Sequence, residues 1–297
     1  MLALTLDLHF LFMTVTNGLS ANTVTGDLFY FTPPPDGGKP RRYLTKPPEG
    51  EPVSNHENVK REMHIENVRG KEKDFSLDTT GFQLLLDEPT KIRRFDDDGE
   101  IEREYYRESA EIIKRVAGAS KVVIIDHTIR RRVEGEKGIE DPRKRVPASI
   151  VHVDQTPAAA IDRVHRHISP PEEAERLLRK RFQIINLWRP IKHPAIDMPL
   201  AFCDFRSIDP KEDLVPVQLV FPGRLGETYG VKWNEEHQWK YMKGMDVDEA
   251  ALIKCYDSIQ DGSVATLTPH TAFKDPSTPP ESPPRESIEL RALVFYD

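Results

Sequence analysis

A chain of 297 residues with 38% hydrophobic and 31% charged residues carries enough apolar material for one sizeable core, and its net charge of -7 is too small for general disorder. The acidic balance leaves no broad basic surface of the kind phosphate backbones require, which excludes nucleic acid as the expected partner. Two cysteines, Cys203 and Cys255, lie apart in apolar stretches with no CxxC or zinc-ligand spacing, and they point to a reducing, cytoplasmic setting.

The first 25 residues read as an N-terminal extension. Met1 to Met13 is apolar, but it lacks a basic flank, is interrupted by Asp7 and His9, and is too short for a bilayer, so no membrane contact is expected. Residues 37–56 are rich in Pro, Gly and charge and predict a loop. Tyr105 to Ala117 predicts a surface helix, with Ile112, Ile113 and Val116 at helical spacing and Gly118 as its stop. The β-branched run Val122–Ile125 predicts a buried strand. Two basic runs follow, Arg130–Arg132 and Arg143–Arg145; Glu134, Glu136, Glu140 and Asp141 dilute them, which reads as a solvated loop.

After Ile150–Asp154 come two short helices, one opened by Thr156 and Pro157, the other by Ser169, Pro170 and Pro171 with Glu172 and Glu173 in its first turn. Serial strand-like runs then occupy Phe182–Ile191, Leu200–Phe205, Leu214–Phe221, Thr228–Trp233, Gln238–Met242, Ala251–Tyr256, Ala265–Phe273 and Ser287–Tyr296. Prolines between Asp275 and Pro284 make a loop before the last run. Short strands in series without intervening helices predict a mainly β protein with flanking helices, a double-stranded β-helix or jelly-roll (cupin-like) barrel. The whole chain, 1–297, is expected to form one domain, with residues 26–120 flanking a jelly-roll core at 121–297. There is no internal repeat, no GxGxxG and no GxxxxGK[ST], so a nucleotide-cofactor fold is not expected.

The chemistry concentrates in three places. His152 and Asp154 lie two apart in a β-type segment and therefore share a face that can hold a metal ion. Alone the pair says little: ten His among 49 acidic residues in 297 yield one or two His-x-acid pairs by chance, and His64-Ile65-Glu66 is another. His270 begins a later strand-like run, and fifteen residues on Arg285-Glu286-Ser287 opens the final one. Two imidazoles and a carboxylate on one side of a metal form the facial site of non-haem Fe(II) oxygenases. An arginine fork with a neighbouring hydroxyl suits the far carboxylate of a dicarboxylic cosubstrate.

The segments Ile124–Arg130, Val151–Pro157, Ile184–Ile191, Gly226–Tyr229, His237–Trp239, Lys254–Ser258, His270–Phe273 and Arg285–Arg291 resemble the CmcJ/AsaB-like (gibberellin desaturase-like) family of fungal and bacterial oxygenases, over most of the chain from about Gly26. The resemblance implies Fe(II) held by His152, Asp154 and His270. It further implies 2-oxoglutarate as cosubstrate, O₂ as oxidant, and hydroxylation, desaturation or ring closure of an amino-acid-derived or terpenoid small molecule in secondary metabolism. Some family members carry the label methyltransferase, but no glycine-rich strand-to-helix turn is present to hold S-adenosylmethionine. A non-catalytic cupin-like binding protein is the other alternative; it would lack a metal ligand, and none is missing here.

Several residues admit two readings. His237 is the rival to His270, although Asn234-Glu235-Glu236-His237 reads as a hairpin turn. Asn186 is expected near the cosubstrate alongside Arg285 and Ser287, and Trp188, Arg189 and Tyr229 near the substrate, with a core Trp and a surface Arg as the alternative. Asp126-His127 ends a strand and takes a structural or pocket-edge role, because neighbouring strand residues face opposite ways. His165 and His167 are expected on an exposed helix face.

Overall fold

The computed structural model describes residues 22–131 and 147–297. The N-terminal apolar stretch and the basic run at 143–145, with the acidic residues around it, lie outside the described residues. Arg130 and Arg131 do not lie in a loop; they end a strand.

Strands in chain order are β1 (Thr23–Thr32), β2 (Arg41–Tyr43), β3 (Glu57–Asn67), β4 (Phe82–Leu85), β5 (Lys121–Arg131), β6 (His152–Val153), β7 (Phe182–Pro190), β8 (Leu200–Cys203), β9 (Leu214–Phe221), β10 (Arg224–Val231), β11 (Trp239–Tyr241), β12 (Ala250–Asp257), β13 (His270–Ala272) and β14 (Glu286–Phe295). Helix α1 (Asp98–Glu100) runs through a wide turn at Ile101–Tyr105 into α2 (Tyr106–Ala117); α3 (Pro157–His167) and α4 (Pro171–Leu178) follow β6. The expected helix signals act as read. Gly118 closes α2 at φ 67, and the Thr156 hydroxyl caps α3 by accepting from the Ala159 amide.

One sheet has the order β1-β3-β11-β8-β13-β6-β10-β9-β2 and the other β4-β12-β7-β14-β5. Four strands of each, β8-β13-β6-β10 against β12-β7-β14-β5, make a jelly roll. Strands β1, β3 and β4, from the region expected to flank the barrel, extend its sheets: β1 pairs antiparallel with β3, which runs parallel to β11. The run expected as a strand over Ala265–Phe273 pairs only at its end, as β13, where Pro269 precedes His270 and has no N–H to donate.

Alternation on β7 and β14 separates two cores. Ile184, Trp188, Leu293 and Phe295 point between the sheets and meet Phe202 and Ile253. Ile185, Leu187, Ile288, Leu290, Ala292 and Val294 point outward under Ile112 and Ile113 of α2. A third core, with Leu28, Ile65, Val153 and Trp239, lies on the far face of the large sheet. Fully burying one such aliphatic side chain contributes about 1.5–3 kcal/mol, so the two-sided burial of β7 and β14 fixes their register. Among the described residues no helix is long and apolar enough to cross a membrane.

Candidate active site

The inward face of β14 changes character along its length. Leu293 and Phe295 fill the closed end, whereas Ser287, Glu289 and Arg291, with Arg285 just before the strand, give the other end a row of polar groups. This row faces β6 and β13 across the barrel.

His152 and His270 pair directly across β6 and β13, with ring centres 4.5 Å apart. Ligand atoms of His152, Asp154 and His270 all lie within 4.8 Å of one another. Each imidazole is held from behind, because Nδ1 of His152 donates to the Ile150 carbonyl at 2.8 Å and Nδ1 of His270 to the Thr268 carbonyl at 3.1 Å. That tautomer leaves a lone pair on each Nε2. Asp154 turns Oδ1 toward His152 Nε2 at 3.4 Å, while Oδ2 accepts from Asn186 Nδ2 at 2.8 Å and Arg291 Nε at 3.3 Å.

Electrostatics prepare the same three groups. Burial alone would raise the Asp154 carboxyl, but Arg291, His152 and His270 outweigh it and hold the group well below the usual carboxylate range. Burial, reinforced by His152, lowers His270 and favours its neutral form. His152 goes up despite burial, because Asp154 lies beside it. Two imidazole nitrogens and an ionised carboxylate oxygen, converging from one side, fit the donor set of a divalent iron centre.

Arg285 is only 1% exposed. Its Nη1 donates to the Met198 carbonyl, its backbone N–H donates to Asp197 Oδ2 at 3.2 Å, and its guanidinium carbon lies 5.5 Å from the centre of the Trp188 ring. Met198 adopts φ 46, a conformation rare outside glycine, to present that carbonyl. Arg285 Nε and the buried Ser287 Oγ have no hydrogen-bond partner among the described residues. Burial, with Arg130 adding its like charge, pushes the Arg285 guanidinium down to about 9. A buried fork of donors beside a free hydroxyl fits a carboxylate.

Trp188 is buried inside the barrel under Arg285. Asn186 does face inward, but onto the Asp154 carboxylate and Glu289, to whose Oε1 it donates at 2.6 Å. Arg189 and Tyr229 are not brought to this site. Arg189 alternates with Trp188, so it points out of the barrel, where it is buried against Tyr105 at 5.5 Å and donates to the Glu88 carbonyl at 2.7 Å; it is not a surface arginine either. Tyr229 pairs with Val153 and shares its face, opposite to His152, and packs with the third core. His237 lies in that core as well, between Tyr30 Oη at 3.1 Å and Asp213 Oδ2 at 3.0 Å. His127 meets Tyr106 Oη at 2.8 Å, while His165 lies on a half-exposed helix face 3.8 Å from Glu175.

Three residues at the site, Glu289, Arg291 and Arg130, escaped the sequence reading, while Asp126 is expected from it only in a structural or pocket-edge role. Glu289 and Arg291 continue the R-x-S alternation, a signal open to a period-two count. Arg130 pairs with Ser287, and Asp126 pairs with Arg291, across β5.

The family described as "Oxidoreductase/YMDC permease-like domain" matches residues 28–295. The chain is 36% identical over 269 residues to the Fe(II)/2-oxoglutarate-dependent dioxygenase nvfI of Aspergillus novofumigatus, covering 88% of this chain and 93% of nvfI. It is 34% identical over 304 residues to the hydroxylase/desaturase efuI of Hormonema carpetanum, covering 95% and 98%. The solved structure of the iron and α-ketoglutarate-dependent endoperoxidase NvfI superposes with a TM-score of 0.82 at 32% identity, over 93% of this chain and 99% of that one. The chain belongs to the CmcJ/AsaB-like family of Fe(II)/2-oxoglutarate-dependent oxygenases. The oxygenase therefore requires Fe(II), 2-oxoglutarate and O₂. Its jelly-roll fold and the family resemblance agree with what the motifs implied.

Proposed function

We propose that this oxygenase holds iron through His152 Nε2, Asp154 Oδ1 and His270 Nε2, and that Arg285 and Ser287 bind the far carboxylate of 2-oxoglutarate. Iron held there would supply the redox chemistry by which O₂ oxidises both 2-oxoglutarate, to succinate and CO₂, and an unactivated C–H bond of the substrate. The substrate is a small molecule of secondary metabolism, amino-acid-derived or terpenoid, and the outcome is hydroxylation, desaturation or ring closure. We place the enzyme in the cytoplasm and read 1–297 as one oxygenase domain.

The observation that carries this reading is the pairing of an intact three-ligand cluster with a buried arginine whose guanidinium makes no salt bridge among the described residues and whose Nε is unpartnered there. The protein's own part is positional. The Ile150 and Thr268 carbonyls fix the imidazole tautomers, Asn186 and Arg291 orient the carboxylate, and Trp188 floors the anion site. The interior between the sheets, lined by Trp188, Phe202 and Ile253, excludes water from one side of the centre.

The test is anaerobic loading with Fe(II) and 2-oxoglutarate, admission of O₂, and measurement of succinate with and without a fungal metabolite extract. Succinate that depends on 2-oxoglutarate, with extract compounds gaining oxygen or losing two hydrogens, is the expected result. A protein that binds iron and 2-oxoglutarate but never forms succinate is instead the non-catalytic cupin-like alternative.

A further inference from the structure

The carboxylate of Asp154 is not free on both sides. Oδ1 faces the imidazole of His152, while Oδ2 is taken by Asn186 Nδ2 at 2.8 Å and Arg291 Nε at 3.3 Å, with the Cys255 thiol at 4.0 Å. Arg291 is itself gripped from the other side: its Nη1 donates to both oxygens of Asp126, at 2.8 and 3.0 Å. Asp126 also lies 3.5 Å from Arg163 Nη1 of α3, and Arg163 Nε donates to the side chain of Gln155, the residue after Asp154, at 3.1 Å.

A local irregularity makes this ladder possible. Arg291 pairs with Asp126, but Ala292 pairs with Ile124, so Ile125 is an extra residue on β5. Without that bulge, alternation from Ile125, which packs in the inner core, would turn Asp126 outward. With it, Asp126, Arg291 and Asn186 stand side by side on β5, β14 and β7, all facing Asp154.

We propose that Arg291 is a positioning residue for the metal: braced by the bulged Asp126, it joins Asn186 in tying down Asp154 Oδ2, so that Asp154 ligates through Oδ1 alone. Two fixed donors on one oxygen leave the other as the metal-facing lone pair and stop the carboxylate from closing on the ion with both oxygens. That keeps coordination positions open for cosubstrate and O₂. The inference rests on the proposed ligand set.

The test is a double-mutant cycle on metal affinity, read by anaerobic Co(II) titration of the full chain, with the Co(II) d–d absorption as a second readout. Arg291→Gln is expected to weaken Co(II) binding roughly 10–100-fold, the usual range for groups that orient a ligand, and to change the d–d band as Asp154 rotates. Asp126→Asn touches no ligand, and its side chain is 43% exposed, so the variant keeps its fold. It is expected to weaken binding about 3–10-fold in the wild-type background and not at all when Arg291 is already Gln, because coupled residues are not additive. Arg291→Lys should recover part of the affinity. Wild-type affinity and an unchanged d–d band in Arg291→Gln, or additive effects of the two changes, would overturn the proposal. His152→Ala separates the two levels: if it keeps full Co(II) affinity the ligand set is wrong, whereas if it loses the metal while Arg291→Gln binds normally only the positioning role fails. Should Arg291→Gln not fold, a Co(II) affinity equal to wild type in Asp126→Asn overturns the brace.

Discussion

Replacing Arg285 with Met should move stability and cosubstrate binding in opposite directions. The guanidinium is nearly fully buried, and its fall from the ordinary arginine value to about 9 corresponds to about 5 kcal/mol disfavouring its charged form. Relaxation and water reduce what a variant recovers, so a net gain of roughly 1–2 kcal/mol is expected when a flexible apolar side chain of similar length replaces the charge. At about 2–4 °C per kcal/mol, that raises the melting temperature by roughly 2–8 °C without cosubstrate. The wild-type enzyme, saturated at a hundred times its dissociation constant, gains about 2.7 kcal/mol from the ligand, and the variant gains none. The assay is thermal unfolding of the Mn(II)-loaded proteins under argon, with and without 2-oxoglutarate. An Arg285→Met variant that melts below the wild type without cosubstrate, yet is still stabilised by it, would refute the reasoning and move the anion site elsewhere.

Iron content after His270→Ala and His237→Ala should separate the two histidines: the first loses the metal, and the second keeps it while losing about 1–3 kcal/mol in urea unfolding, because Tyr30 and Asp213 each lose one buried hydrogen bond. Burial holds His237 below 6.5, so the unfolded chain takes up a proton that the folded one refuses; this contribution to stability is present above pH 6.5 and is lost as pH falls through the lower folded value. Urea midpoints from pH 8 to 5 should therefore fall less steeply in His237→Gln than in the wild type, and equal slopes would contradict the assignment. Gly81→Ala should be severely destabilising and lower metal affinity, since Gly81 has φ +83 and a Cβ would stand 2.1 Å from Thr268 Oγ1, next to the carbonyl that holds His270. A variant that melts and binds Co(II) like the wild type would show that the 80s loop yields easily.

Period-two spacing made much of the site legible. His152 with Asp154, and Arg285 with Ser287, each share a face because strand side chains alternate, and the same count extended four residues would have reached Glu289 and Arg291. The expectation that Trp188 and Arg189 both lie near the substrate does not apply the same rule, since neighbours on a strand cannot both face inward. Asp126 was legible only as a structural or pocket-edge residue; its place beside Arg291 was not, because the bulge at Ile125 carries no glycine or other marker. Nor was β3: in Glu57–Asn67 the charges on the solvent side crowd out the pattern, and only Met63 and Ile65 are fully buried. Tyr229 was misplaced for a subtler reason, since its face follows from its partner Val153, and partners so far apart in the chain cannot be read from one segment.

Strand β14 lies between β7 and β5 in the smaller sheet, yet it is translated after every other strand of the barrel. Until it arrives, β5 and β7 have no common partner, and each presents an open edge together with the apolar face meant for α2. A nascent chain at that stage holds the three proposed iron ligands but neither of the proposed 2-oxoglutarate anchors, Arg285 and Ser287. On that proposed assignment it would meet iron before it could meet 2-oxoglutarate. Insertion of β14 would thus bring the proposed cosubstrate anchors, and the interval before it is the one in which the open edges of β5 and β7 invite pairing with another copy or shelter by a chaperone.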